Sequence, residues 1–271
     1  MIGISPFSSS ILLFGQSGGT PVDPDAQAFI TAAAITDPTQ QSAVNQLVVD
    51  LKGYGVWTKM KALYPFVGGT ASQHKFNLKD PRDLDAAFRL VFNGGATHSL
   101  SGYQPNGTNG YADTKFITLV NQNLNSNGLG VYITQNSSGR PDPIIMGSFN
   151  GTLQASLLVS TSTNLLTRLN GNIVSNAITG GLGSFDIQKT SSTVTKIYKN
   201  GILLNTGNSG GTLPIVNNFI GTMNYIGTPY GDGYVNSQFR FAYLSDGLSD
   251  TEIANLRTSV QTFQTTLNRQ V

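Results

Sequence analysis

From about Phe76 onward, apolar positions come in short runs separated by turn residues: LGVYITQ, PIIMGSF, TLQASLLVS, SFDIQKT, VTKIYK, ILLN and SQFRFAYL. Seven Asn-Gly pairs punctuate this region, beginning at Asn93, Asn106, Asn109, Asn127, Asn150, Asn170 and Asn200. Asn-Gly suits the type I′ hairpin turn because both central residues need φ > 0. Short strands with recurrent turn signals and no interleaved helices predict an antiparallel β-sandwich, not a parallel α/β sheet. In KIYKNGILLN, a two-residue turn at Asn200-Gly201 would pair Lys199 with Ile202, Tyr198 with Leu203 and Ile197 with Leu204.

Helical patterns flank this region. Asp23-Pro24 places an N-cap before a first-turn proline, leading into AQAFITAAA. Asp37-Pro38-Thr39-Gln40 repeats the start, with Gln40 at the capping-box position. Val44, Leu47, Val48 and Leu51 then share one helical face, and Gly53 suits the C-terminal cap. A third segment, VWTKMKALYPFVGG, is expected to continue the helical region up to Pro65, with Trp57 as a core anchor. At the other end, Ser249-Asp250-Thr251-Glu252 is a capping box. Ile253, Leu256, Val260, Phe263 and Leu267 follow it as a stripe that docks the last helix. The organisation expected is an arm over 1–22, a helical segment over 23–75, and a sandwich with its C-terminal helix over 76–271.

Composition narrows the function classes. Of 271 residues only 11% are charged, against roughly 25% in an average domain. Amides, hydroxyls and 31 glycines take their place. Net charge is +2 with no Lys/Arg cluster, so nucleic acid is not an expected partner. Cysteine is absent, which removes disulfides, thiolate metal sites and thiol catalysis. No run approaches the roughly 20 apolar residues of a membrane span. The opening MIGISPFSSSILLF has no basic start and a four-residue apolar tip, Ile11, Leu12, Leu13 and Phe14. A secretory leader of the ordinary kind is therefore not expected; the tip instead suits contact with another subunit. The sequons at Asn106, Asn136 and Asn150 follow from an Asn/Ser/Thr-rich composition.

Three pieces in order, SFDIQKTSSTVTKIYKNGILLNT, NYIGTP and SQFRFAYLSDGLSDTEIANL, resemble the laminin G-like, or concanavalin A-like, jelly-roll family over roughly residues 95–257. The places that match are Tyr198, Asn200, Gly201, Ile226, Gly227, Leu248, Ser249, Glu252 and Ile253. DPDAQAFITAAAITDP and KDPRDLDAAFRLVFNGG, with the SDTEIANLRTSVQTFQTTLNRQV ending, are similar to virion proteins of tailed bacteriophages. This resemblance implies a particle component. The laminin G-like resemblance, for its part, is compatible with a structural calcium ion, whose ligands it does not map onto particular residues; no other cofactor is implied.

The jelly-roll family includes glucanases whose catalytic glutamates group on one strand. Here Glu252 is the only glutamate among 14 acidic residues, and it belongs to a helix cap. Asp113, Asp142, Asp186 and Asp232 are widely separated in sequence. The paired carboxyls of glycoside hydrolysis are thus not visible. His74 and His98 have no partner at metal-ligand spacing and suit loop or interface hydrogen bonding. Gly180 to Gly183 lacks the P-loop lysine.

Sugar binding has better material. Aromatic faces stack on sugar C–H patches while amides and carboxylates meet the hydroxyls. Tyr230, Asp232 and Tyr234 offer that set in YGDGY, as do Tyr103 and Asn106 with Asn109. The plainer reading of both is turn residues with tyrosines closing the sandwich edge. The combined expectation is a non-enzymatic phage virion surface protein, as capsid decoration, head fibre or tail-associated component, assembled in the host cytoplasm. Its lectin-like sandwich would bind carbohydrate, and its partners would be other virion proteins and further copies of itself. A free lectin module is the alternative, and a glycan-active enzyme comes third.

Overall fold

Period-two alternation on both sheets, with one sheet covered on its outer face by helices, organises the molecule. The computed structural model describes residues 21–137, 142–151, 155–160 (backbone only), 163–169, 174–208 and 211–271. The proposed arm contacts Ile11, Leu12, Leu13 and Phe14, and the Asn170 turn, lie outside these residues.

The first sheet runs in the order β13 (Ile202–Asn208), β12 (Val194–Lys199), β11 (Gly183–Lys189), β6 (Asn127–Gln135), β17 (Gln238–Ser245), β4 (Gly102–Pro105), β3 (Ala96–Ser99). β1 (Met60–Tyr64) also pairs with β17, antiparallel. The second sheet runs β10 (Val174–Ala177), β9 (Asn164–Leu169), β8 (Ala155–Ser160), β7 (Ile144–Phe149), β14 (Asn217–Ile220), β5 (Tyr111–Ile117), β2 (Val91–Asn93). β15 (Met223–Tyr225) joins β7 in parallel and pairs with β16 (Thr228–Pro229). Every other strand pairing described is antiparallel, as the turn signals predicted.

β6 shows why its sequence reads as a nearly unbroken apolar run. Leu129, Val131 and Ile133 point into the core between the sheets, together with Phe116, Phe185 and Phe239. Tyr132, one residue out of phase, joins Phe241 and Tyr243 in a second core beneath the helices. That core is completed by α1 (Pro24–Ala32), α2 (Pro38–Gly53) and α5 (Asp250–Thr266). The result is three layers: helices, sheet, sheet. Gly130 lies at the crowded centre, where a Cβ would come within 2.4 Å of both Asp186 Oδ1 and Tyr243 Cε1.

The helix starts follow the sequence signals closely. Asp23 and Asp37 cap α1 and α2, and Ser249 with Glu252 forms the full capping box of α5. Gln40 departs from the expected box: its side chain instead accepts from the Gly68 N–H at 2.7 Å, tying α2 to the loop after β1. Trp57 is buried in the helix-side core, with Lys79 4.3 Å above its ring.

Three sequence expectations need correction. The segment up to Pro65 is not an extension of the helical region; after one 3-10 turn at Trp57–Lys59 it becomes β1. Asn127-Gly128 is not a turn but opens β6, its main chain held in the sheet by β11 and β17. The hairpin at Asn200-Gly201 has the expected turn, with φ of 51° and 77°. Tyr198 faces Leu203 and Lys199 faces Ile202, but Ile197 faces Asn205. Leu204 is thus a bulge, which local turn chemistry does not encode.

Candidate functional site

A partly exposed aromatic row forms a ledge on the outer face of the second sheet. It grows from the hairpin joining β15 to β16. Tyr225 faces Thr228, so Ile226 and Gly227 occupy the two central turn positions, both left-handed at φ 52° and 88°. For glycine this is free; for a β-branched residue it is strained. The Ile226 N–H donates to Phe149 O at 2.8 Å and the Gly227 N–H to Asn224 Oδ1 at 2.8 Å, which hold the turn in place.

The turn carries Tyr225 across Phe149, the last residue of β7, with ring centroids 5.2 Å apart at 30°. Tyr230 continues the row, 6.0 Å from Tyr225. Its backbone is fixed on both sides: its N–H donates to Met223 O at 2.8 Å, and its carbonyl accepts from Thr222 Oγ1 at 2.9 Å. Ile144, Met223 and Leu166 form the apolar floor. Tyr225 remains 39% exposed and Ile226 55%, so a ring face and an aliphatic tip both meet solvent.

Charges flank the row. Partial desolvation, reinforced by Asp142 and Asp232, pushes the Tyr230 phenol above its ordinary range. Both aspartates are solvent-exposed. On β9, Leu165, Thr167 and Leu169 are buried, leaving Leu166 and Arg168 on the outer face. The Arg168 guanidinium stands 6.0 Å from the Phe149 ring centroid. Rings, carboxylates and a guanidinium in one place can stack on an apolar sugar face and bond its hydroxyls.

The residues predicted from sequence divide sharply. Tyr230 and Asp232 belong to the ledge. Tyr234, only 8% exposed, turns away toward Tyr111 at 6.5 Å. Tyr103 is wholly buried among Phe66, Phe92, His98 and Phe239, so it offers no face to a ligand. Asn106 is a turn residue: its Oδ1 accepts from the N–H groups of Thr108, Asn109 and Gly110, and its Nδ2 donates to Asn109 Oδ1. None of these three faces the ledge. Phe149, Tyr225 and Arg168 are not singled out by the sequence, and Ile226 stands there only as a marker of the fold family, not as a site residue. The one available signal was Ile-Gly at the turn position where Asn-Gly is preferred.

The two histidines meet each other. His74 Nδ1 lies 3.0 Å from His98 Nδ1, while His74 Nε2 accepts from the Gly69 N–H at 3.3 Å. That acceptor role puts the His74 proton on Nδ1, which donates to His98. Among the described residues no group of three His, Cys, Asp or Glu side chains could hold a metal ion. No described helix is long and apolar enough to cross a membrane.

No protein-family model matches the chain, and no curated protein matches it in sequence. Solved structures do match in fold. A botulinum neurotoxin type C structure, of a toxin described as dependent on two ganglioside molecules to get into cells, superposes with TM-score 0.55 at 13% identity, covering 76% of this chain and 52% of that one. The binding domain of botulinum neurotoxin DC in complex with SialylT gives 0.53 at 15%, covering 75% and 52%. A Trypanosoma rangeli sialidase gives 0.51 at 14%, covering 80% and 39%. The chain is thus similar to about half or less of each. At these identities the likeness establishes the fold alone, an antiparallel β-sandwich.

Proposed function

We propose that the chain is a non-enzymatic carbohydrate-binding module and that the Tyr225–Tyr230 ledge is its glycan site. The observation that carries this reading is an exposed, backbone-anchored aromatic row flanked by Asp142, Asp232 and Arg168. The fold likeness to a binding domain seen with SialylT and to a toxin dependent on gangliosides supports it.

Binding is favoured over hydrolysis by the setting of the two carboxylates. A general acid must be held protonated, usually by an apolar pocket. Asp142 and Asp232 lie in the open. Glycan-array screening of the full chain, followed by calorimetry on the best neutral ligand, tests the reading. Tyr225→Ala should weaken binding at least tenfold with the fold intact, since aromatic contacts are worth about 0.5–1.5 kcal/mol beyond their buried area. Undiminished binding by that variant would move the site elsewhere.

The setting we infer is the surface of a tailed-phage particle, on the sequence resemblance to virion proteins. The Ile11–Phe14 tip would dock on a neighbouring subunit. Deleting residues 1–20 should abolish incorporation into particles while glycan binding persists. A free lectin would show no incorporation in either form.

A further inference from the structure

Arg168 is the cation of the ledge, and its planar fork is matched better by a carboxylate than by the hydroxyls of a neutral sugar. Its Nε–H is buried with no hydrogen-bond partner. Leaving such a donor unpaired costs about 1–3 kcal/mol. The only influence displacing its ionisation is burial, which disfavours the charged form; no carboxylate among the described residues counters it. The comparison with Arg89 is informative. Arg89 is held by Asp83 and Asp85 at 3.0 and 2.8 Å, as is usual for an arginine beside acidic residues. Arg168 is held instead against an aromatic face.

Position adds a second argument. Along the run of contacts Arg168, Phe149, Tyr225, Tyr230, the cation stands at one end and Asp142 with Asp232 at the other. A ligand lying on the rings therefore meets positive charge at one end and hydrogen-bond acceptors at the other. The planar guanidinium fork matches a carboxylate in two parallel hydrogen bonds. A turn of the fork toward solvent would also give the orphaned Nε–H an acceptor.

We infer that Arg168 makes the ledge selective for glycans bearing a carboxylate, with the acidic group at the Phe149 end and the hydroxyl-rich remainder toward Asp232. This rests on the ledge being the glycan site. Sialic acids and uronic acids share the required chemistry.

The test is calorimetry on the full chain at low salt with three probes: sialyllactose, a glucuronic acid-containing disaccharide, and lactose. At least one acidic probe should bind ten- to a hundredfold more tightly than lactose, as expected for charge-assisted bonds. Which of the two does so distinguishes the sources. Arg168→Gln should erase that margin, weakening the acidic probe far more than it weakens lactose. Arg168→Lys, which keeps the charge without the fork, should retain only part of it. Thermal melting of both variants separates misfolding from lost recognition, and Lys retains the stem if Gln does not fold. Equal affinities for acidic and neutral probes, or a margin that survives in Arg168→Gln, would overturn the inference and leave the ledge standing. Absence of binding by all three probes would overturn both.

Discussion

The Tyr243 hydroxyl donates to Asp186 Oδ1 at 2.7 Å, wholly inside the layer between the first sheet and α5. The same hydroxyl accepts from Gln188 Nε2 at 2.9 Å, and Gln188 Oε1 accepts from the Leu248 N–H at 3.0 Å. A buried carboxyl is thereby wired to the entrance of the last helix. Beside it is a cavity of ≈ 10 Å³, lined in part by Ser184, Asp186 and Arg257. Burial, only partly offset by Tyr243 and Arg257, pushes the Asp186 carboxyl up to about 7.

From this follows a stability prediction with a definite sign. Between an unfolded value near 3.8 and a folded value of about 7, the native state holds a proton that the unfolded chain has released. Stability from this group therefore falls as pH rises through that window. Asp186→Asn should remove the dependence and gain on the wild type by a few kcal/mol between pH 4 and pH 8, at about 1.4 kcal/mol per pH unit. Urea unfolding across that range measures it; parallel curves for the two proteins would refute it.

His74 acts in the opposite direction. Burial, with the neighbouring His98 and Arg269, pushes it down to about 3. The unfolded chain then binds the extra proton, so stability is lost as pH falls from 6.5 toward 3. In the wild type the Asp186 and His74 slopes offset each other between pH 4 and 6.5. In Asp186→Asn the acid-side loss should stand exposed, and in His74→Gln with Asp186→Asn it should flatten. Denaturation midpoints of the single and double variants distinguish these outcomes.

Ile226 carries a strain that the ledge exploits. A left-handed β-branched residue costs of order 1–2 kcal/mol. Ile226→Asn recreates the preferred Asn-Gly turn and should raise stability by about 1 kcal/mol. It should also weaken glycan binding, because the exposed aliphatic tip beside Tyr225 is lost. A variant that gains stability and keeps full affinity would remove Ile226 from the site.

Arg269 closes the molecule near its C-terminus. Although only 4% exposed, it has no carboxylate partner among the described residues. Instead it donates to Phe66 O at 2.8 Å, Pro65 O at 3.2 Å and Gln264 Oε1 at 3.0 Å. Phe66 is itself left-handed at φ 45°, so the guanidinium pins a strained corner after β1. Arg269→Met should cost about 3 kcal/mol or more by leaving buried carbonyls unpaired. A loss below 1 kcal/mol in urea would show that water replaces the guanidinium.

Sequence alone was sufficient for features set by neighbours along the chain. Asp23, Asp37 and Ser249 cap their helices because a short polar side chain reaches the next N–H groups. Asn200-Gly201 turns because both residues tolerate positive φ. The apolar run LGVYITQ likewise reads as a strand, and β6 is one, with Leu129, Val131 and Ile133 on one face and Tyr132 on the other.

Tertiary structure alone decided the rest, because it depends on what arrives from far away. MKALY became a strand through the open edge of β17, across more than 170 residues of sequence. Tyr103 and Tyr230 both lie close to polar turns, yet Tyr103, on β4, is sealed by Phe66 and Phe239, while Tyr230 packs on Ile144 and Met223 and stays half-buried beside Tyr225. The ledge assembles Phe149, Arg168 and Tyr225 from three separate strands. Local propensity decides how each segment is shaped; burial by distant segments decides which side chains remain for a ligand to touch.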